Sequence, residues 1–249
     1  MFFNLEWNAV EYERAKEIMA DPILRDYAYH LEVERLSKPY QLSESEEKLL
    51  MEKSLTGNGA WNRFFSQVMG SLTAKWEGED LPFTQVLSKI SGNPDREIRK
   101  KAADAVTEAL KSKTMELTYI FNVLAADKAS DDRLRGYPTW ITSRNLSNKA
   151  SDETVEALIE AVTSNYSIVA DHYNVKKALL GYDEMYDYDR YAPLTLKESD
   201  TFYTWDDAKK IVLDAYSDFN PRMGEIASRF FDENWIHAPV IQGKRGGAY

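Results

Sequence analysis

Helix-start signals recur along this chain at intervals of one helix, and they constrain its fold more than any other feature. Asp21-Pro22 places a capping carboxylate before a proline at the first helical position, where the missing N–H costs nothing. Ser43-Glu44-Ser45-Glu46 reads as a reciprocal capping box. Asn93-Pro94, Ser151, Thr204 with Asp207, and Asn220-Pro221 repeat the same grammar. Asn58 is a further candidate cap, ahead of Trp61, Phe64, Phe65 and Val68. The reading is an all-α, multi-helix protein. Two exceptions are expected: a small β-hairpin near 73–80, turning at Gly78, and a short glycine-rich strand at the C-terminus.

Periodicity fills in the helices. Leu24, Tyr27, Leu31 and Leu36 are expected inward on the first, and a short helix follows Pro82 and ends near Gly92. Ile98, Ala102, Ala105, Val106, Ala109 and Leu110 form one stripe after Asn93-Pro94. Another helix is expected from Thr114 to Leu134, closed by Gly136. Val155, Leu158, Ile159, Val162, Tyr166, Val169 and Tyr173 recur at steps of three and four. They predict one helix from Ser151 to Gly181, roughly 43 Å long, with that row buried. The expected organisation is an N-terminal helical part over 1–92 and a central part over 93–249, together one continuous helical unit.

Composition removes several function classes. The 249 residues contain no cysteine, which excludes disulfides, thiolate metal sites and cysteine nucleophiles, and suits a reducing, cytoplasmic setting. The net charge of −10 argues against nucleic acid as a partner, since phosphate binding needs a basic surface. The longest uncharged apolar stretch, Leu117 to Ala126, is too short for a bilayer, which needs about 20 residues, so no membrane partner is expected. The start, Met1-Phe2-Phe3-Asn4-Leu5-Glu6, has no basic n-region and no long apolar core, so no signal peptide is expected.

The search for chemistry yields no catalytic residue and no metal ligand set. His30, His172 and His237 are the only histidines, and none pairs with another at i, i+4. No nucleophile elbow, Ser-x-x-Lys set or phosphate loop is present. Asp183, Glu184, Asp187, Asp189, Glu198, Asp200, Asp206 and Asp207 stand against Arg190 and Lys197 alone, so six of the ten net negative charges lie in this stretch. Such a run could hold a divalent cation or a basic peptide, but the glycine and distal glutamate of a calcium loop are missing. The favoured reading is a structured connector with a solvated acidic face. Gly243-Lys244-Arg245-Gly246-Gly247-Ala248-Tyr249 is the other candidate, because adjacent glycines let a second backbone approach and a strand edge can receive an extended peptide.

Several strings in order resemble the oligoendopeptidase F branch of the zinc oligopeptidases related to thimet oligopeptidase. They are Leu42–Lys48, the run Ala126 to Trp140, Ser143-Arg144-Asn145-Leu146, Leu179-Leu180-Gly181, Tyr186 to Pro193, and Gly243 to Tyr249. The resemblance implies a largely helical enzyme whose two lobes face a deep cleft, with zinc held by H-E-x-x-H and a downstream glutamate. It places this chain in the middle of such an enzyme, before the part that carries the zinc motif, and implies that zinc belongs to the complete enzyme and not to this segment. Only Gly243, Lys244, Arg245, Gly246, Gly247, Ala248 and Tyr249 would lie beside the cleft, as part of the strand that meets short peptide substrates. The expected partners are therefore short peptides through the complete enzyme, the catalytic segment, or a second copy of the chain. The alternative is a free-standing, non-catalytic helical module that binds peptide or protein.

Overall fold

A computed structural model describes residues 2–194, 202–239, 241 and 243. The chain forms two compact units, each discontinuous in sequence: Met1–Met69 with Leu110–Ala178, and Gly70–Ala109 with Leu179–Tyr249. The division expected at residue 92 thus falls inside the second unit, where the hairpin, its following helix and the first turns of Arg96–Lys111 belong together.

The described residues are mainly α-helical, as the caps predict. Ser43 accepts from the Glu46 amide while Glu46 accepts from the Ser43 amide, and this box opens the helix Glu44–Ser54. Thr204 and Asp207 do the same for Trp205–Phe219, and Asn220 caps Pro221–Asp232. The helix Thr114–Arg135 stops at Gly136, whose left-handed φ of 72° suits a residue without Cβ. Two starts differ from expectation. Asp21-Pro22 opens a 3-10 turn, Pro22–Tyr27, and the α-helix Ala28–Arg35 begins only after it. In the next case Asp95, not Asn93, accepts from the amides of Glu97 and Ile98 at the head of Arg96–Lys111.

In the first unit, Trp7, Ala15 and Leu31 form a small buried cluster, against which Val10, Ile18, Met19 and Leu24 pack. The Trp7 indole N–H donates to the Leu31 carbonyl at 2.7 Å, and the Arg35 guanidinium lies 5.3 Å from the Trp7 ring. Tyr27 and Leu36, expected inward, are exposed: Tyr27 ends the 3-10 turn, which breaks its phase with Leu31, and Leu36, five residues past Leu31, falls on a different side of that helix.

The long helix expected from Ser151 to Gly181 is two helices, Asp152–Ser164 and Tyr166–Leu180. Asn165 interrupts them: its φ of −109° leaves the helical range, and its side-chain amide donates to the Ala161 carbonyl. The row assigned to the core is not buried either. Leu158, Ile159, Val162, Tyr166 and Val169 are exposed, and only Val155 and Tyr173 are half-buried. Periodicity identifies an apolar face but not what covers it.

In the second unit, strands Thr73–Trp76 and Glu79–Pro82 pair antiparallel with Thr73 opposite Pro82 and Trp76 opposite Glu79. The turn uses Glu77 and Gly78, both at positive φ (53° and 92°), a two-residue connection that follows the strands' own twist. Trp76 is buried, and the ammonium groups of Lys89 and Lys101 each sit 5.0 Å from its ring centre. The helix Arg96–Lys111 buries Ala102, Val106 and Ala109 and half-buries Ile98, Ala105 and Leu110, which is the stripe read from the sequence. Apart from Gly243, the expected C-terminal strand lies outside the described residues. No helix among the described residues is long and apolar enough to cross a membrane.

Candidate functional site

Arg99 occupies the buried stripe of its helix, three residues before Ala102 and seven before Val106, and is itself fully buried. A guanidinium in that position needs a partner for every N–H. Its Nη2 donates to Asp189 Oδ1 at 2.9 Å and to the Tyr182 hydroxyl at 3.2 Å. Its Nη1 donates to the carbonyls of Asn93 and Pro94, and its Nε to that of Tyr188 at 3.0 Å. Asp189 is also fully buried. It accepts further from Arg96 Nη2 at 2.7 Å, from Arg96 Nε, and from the Tyr186 amide at 3.1 Å. The Arg96 guanidinium lies 4.0 Å from the Tyr182 ring centre and donates to the Glu184 carbonyl at 2.8 Å.

Burial pushes the Asp189 carboxyl up. The Arg96 hydrogen bond, the Tyr186 amide and Arg99 together outweigh it and hold the group below the ordinary aspartate range. Arg96 is shifted up, chiefly by its hydrogen bond to Asp189. The tyrosine-rich start of the acidic stretch is therefore a structured connector in which one carboxylate turns inward. Its cations are supplied by a helix about ninety residues earlier in the chain. Sequence reading singled out Asp189 and the tyrosine-rich stretch around it but missed Arg96 and Arg99. The available signal was an arginine in phase with an apolar stripe.

Two strings that carried the family resemblance meet in the first unit. Arg135 donates to both Glu47 carboxylate oxygens, at 2.7 and 3.0 Å, and to Asp131 Oδ1 at 3.0 Å. The hydrogen bond to Arg135 holds the Glu47 carboxyl below its usual value, and the same bond raises Arg135. The Tyr40 and Tyr137 rings lie 4.6 Å apart beside the pair. Glu47 and Arg135 border both a polar cavity of about 180 Å³ and a larger one of about 620 Å³. Asn8, 2% exposed, faces the smaller cavity's lining, and its Oδ1 has no hydrogen-bond partner in the structure.

Of the residues expected beside a cleft, only Gly243 lies among the described residues. Its amide donates to the Gly70 carbonyl at 3.1 Å and its φ is 81°. A Cβ on Gly70 would come within 3.4 Å of the Gly243 carbonyl oxygen, so the two backbones meet closely where both are glycine. Lys244, Arg245, Gly246, Gly247, Ala248 and Tyr249 lie outside the described residues.

The residues present do not fit a zinc site. His30 lies 3.9 Å from the Glu34 carboxylate, and the His172 ring packs edge-on against Tyr173. No group of three potential ligands converges among the described residues.

Comparison with known proteins matches this architecture to peptidases. The Oligopeptidase F model matches residues 6–73, and the model described as Peptidase family M3 matches residues 90–249. The group B oligopeptidase PepB of Streptococcus agalactiae serotype III (strain NEM316) is 27% identical over 235 residues, covering 92% of this chain and 38% of that protein. Oligopeptidase PepF of Bacillus subtilis (strain 168) is 25% identical over 236 residues, covering 91% of this chain and 34% of its own length. This chain therefore spans between a third and two fifths of these relatives. The crystal structure of an oligoendopeptidase F from Bacillus anthracis str. Ames superposes with a TM-score of 0.76 at 15% identity, over all of this chain and 44% of that one. An oligoendopeptidase-F from Enterococcus faecium gives 0.68 at 15%, over 93% and 49%. The structural likeness shows a shared fold, and the sequence match over 90–249 shows more: the chain belongs to peptidase family M3.

Proposed function

We propose that this chain is a non-catalytic helical segment of an oligoendopeptidase F-like enzyme that hydrolyses short peptides in the cytoplasm, and that it forms one wall of the substrate cleft. The observation that carries the reading is the pair of family matches, which run in order over residues 6–73 and 90–249. The chain's three histidines include no H-E-x-x-H, and the described residues assemble no ligand set, so no hydrolytic step is assigned to this segment. Its own residues act by placement. Arg96, Arg99 and Asp189 fix the tyrosine-rich connector on the helix Arg96–Lys111. Gly70 holds Gly243 at the head of the glycine-rich segment. In this reading Gly243 to Tyr249 meets the substrate backbone as an added strand would, through main-chain N–H and C=O groups.

The reading is tested by photo-crosslinking in a complete enzyme of this family that carries this segment. A short peptide with a photoreactive residue is expected to label the 243–249 segment, with unlabelled peptide competing. Labelling confined to other residues would contradict the cleft-wall assignment.

A further inference from the structure

Asn8 lies in the last turn of the first helix, Phe2–Ala9, and is almost fully buried, yet only half of its side-chain amide is used. Its Nδ2 donates to Gln41 Oε1 at 2.8 Å and to Ser37 Oγ at 3.4 Å, while its Oδ1 has no partner. Gln41 is in the complementary state. Its Oε1 accepts from Asn8, and its Nε2 makes no hydrogen bond among the described residues. Two neighbouring carboxamides can exchange two hydrogen bonds, one in each direction. Here one bond is made, and the donor and acceptor of the other stay open. A buried polar atom left in that state is costly, and a bound molecule that supplies its partner relieves the cost.

Both residues line the polar cavity of about 180 Å³, with Tyr40 and Tyr137 as an aromatic wall. The only formal charges in the lining, Glu47 and Arg135, are bonded to each other, so nothing there asks for an ionic ligand. What the open pair asks for is one donor and one acceptor. A primary carboxamide carries both, on neighbouring atoms of one plane. It also fits whichever way the two protein amides are turned. Exchanging O and N in Asn8 and Gln41 together keeps their mutual bond and leaves Asn8 Nδ2 and Gln41 Oε1 open instead. An ammonium or a carboxylate satisfies only half of either arrangement. The volume is close to the roughly 150 Å³ that holds a benzene molecule, which limits the ligand to about that size.

We propose that this cavity is a binding site for a small neutral primary carboxamide, whose N–H donates to Asn8 Oδ1, whose carbonyl accepts from Gln41 Nε2, and whose plane lies against Tyr40 and Tyr137. All of these residues belong to the first unit, and the proposal does not rest on the peptidase reading.

Titration of the isotope-labelled chain with propionamide tests it, read by NMR from the side-chain amide signals of Asn8 and Gln41 and from backbone amides beside the cavity. Butanone, which has the same shape but no N–H, and propionate, its charged counterpart, are the controls. Propionamide is expected to shift these signals saturably with a Kd on the order of millimolar, as befits so small a ligand, and both controls to bind about tenfold more weakly or less. Asn8→Leu removes the open acceptor and is expected to weaken propionamide binding about tenfold. Gln41→Met, at a half-buried position outside the helices, is expected to do the same and serves where Asn8→Leu melts early. No saturable shift up to about 100 mM propionamide would mean that water alone fills the cavity, and would overturn the proposal. Butanone binding as tightly as propionamide, an adventitious apolar fit, would overturn it too. So would folded variants that bind propionamide like the parent.

Discussion

Arg99 and Asp189 are both fully buried, and their side chains meet at 2.9 Å across ninety residues of sequence. Neither charge reaches water, so each exists in this fold because of the other and of the carbonyls and amide around them. Arg96, partly exposed, closes the cluster from outside and is stacked on Tyr182. The pair pins the connector after Gly181 to the head of Arg96–Lys111.

Removing one member should therefore be costly. Asp189→Asn keeps the shape but leaves Arg99 uncompensated, and is expected to destabilise by about 3–5 kcal/mol. Arg99→Met should cost a comparable amount by stranding Asp189. Denaturant unfolding of both variants measures this, and a change under about 1 kcal/mol in either would mean that the cluster is solvated.

The same carboxyl gives a pH dependence. Its folded-state pKa is depressed, so the unfolded chain binds the proton more readily. The stabilisation is fully present above the unfolded aspartate value of about 3.9 and is lost as pH falls from there through the folded value. Melting temperature followed from pH 6 downward should drop more steeply in the parent than in Asp189→Asn, once the variant's lower starting point is subtracted. Parallel slopes would contradict the assignment.

Glu47 and Arg135, each less than a fifth exposed, should be energetically coupled. A double-mutant cycle with Glu47→Gln and Arg135→Met is expected to give about 1–3 kcal/mol of interaction, because the pair is bidentate and largely shielded. Asp131 holds Arg135 through its Nε and should soften the loss of Glu47 without replacing it. Additive single effects would place the two residues in separate environments.

Gly224 is the one fully buried residue of the hairpin formed by Trp205–Phe219 and Pro221–Asp232. A Cβ there would collide with the Ser217 side chain and lie 3.1 Å from the Ser217 Cα. Gly224→Ala is expected to destabilise by about 1–3 kcal/mol by forcing the helices apart. Adding Ser217→Gly should recover part of that loss, and thermal melts of the single and double variants show whether it does.

What the sequence made legible was local. Ser43 with Glu46, Thr204 with Asp207, and Gly136 act on neighbours within a few residues, so their roles can be read without knowing the fold. The stripe from Ile98 to Leu110 was legible for the same reason, since its face is defined by spacing alone. The row from Val155 to Tyr173 had equally good spacing, yet it lies largely exposed and is broken at Asn165, whose side chain competes for a helix carbonyl. The Arg99–Asp189 pair was hidden because its members come together only through the tertiary fold. Of the glycine-rich segment, Gly243 alone lies among the described residues, where its amide donates to the Gly70 carbonyl.

In the proposed function, this segment contributes scaffold and substrate-facing backbone to a longer M3 peptidase and holds no catalytic metal of its own. Elemental analysis of the purified chain after equilibration with zinc and desalting, run beside cleavage of a fluorogenic peptide, tests it most directly. The account predicts zinc well below one equivalent and no chelator-sensitive cleavage. One tightly held zinc per chain, with peptide cleavage that a chelator abolishes, would contradict it.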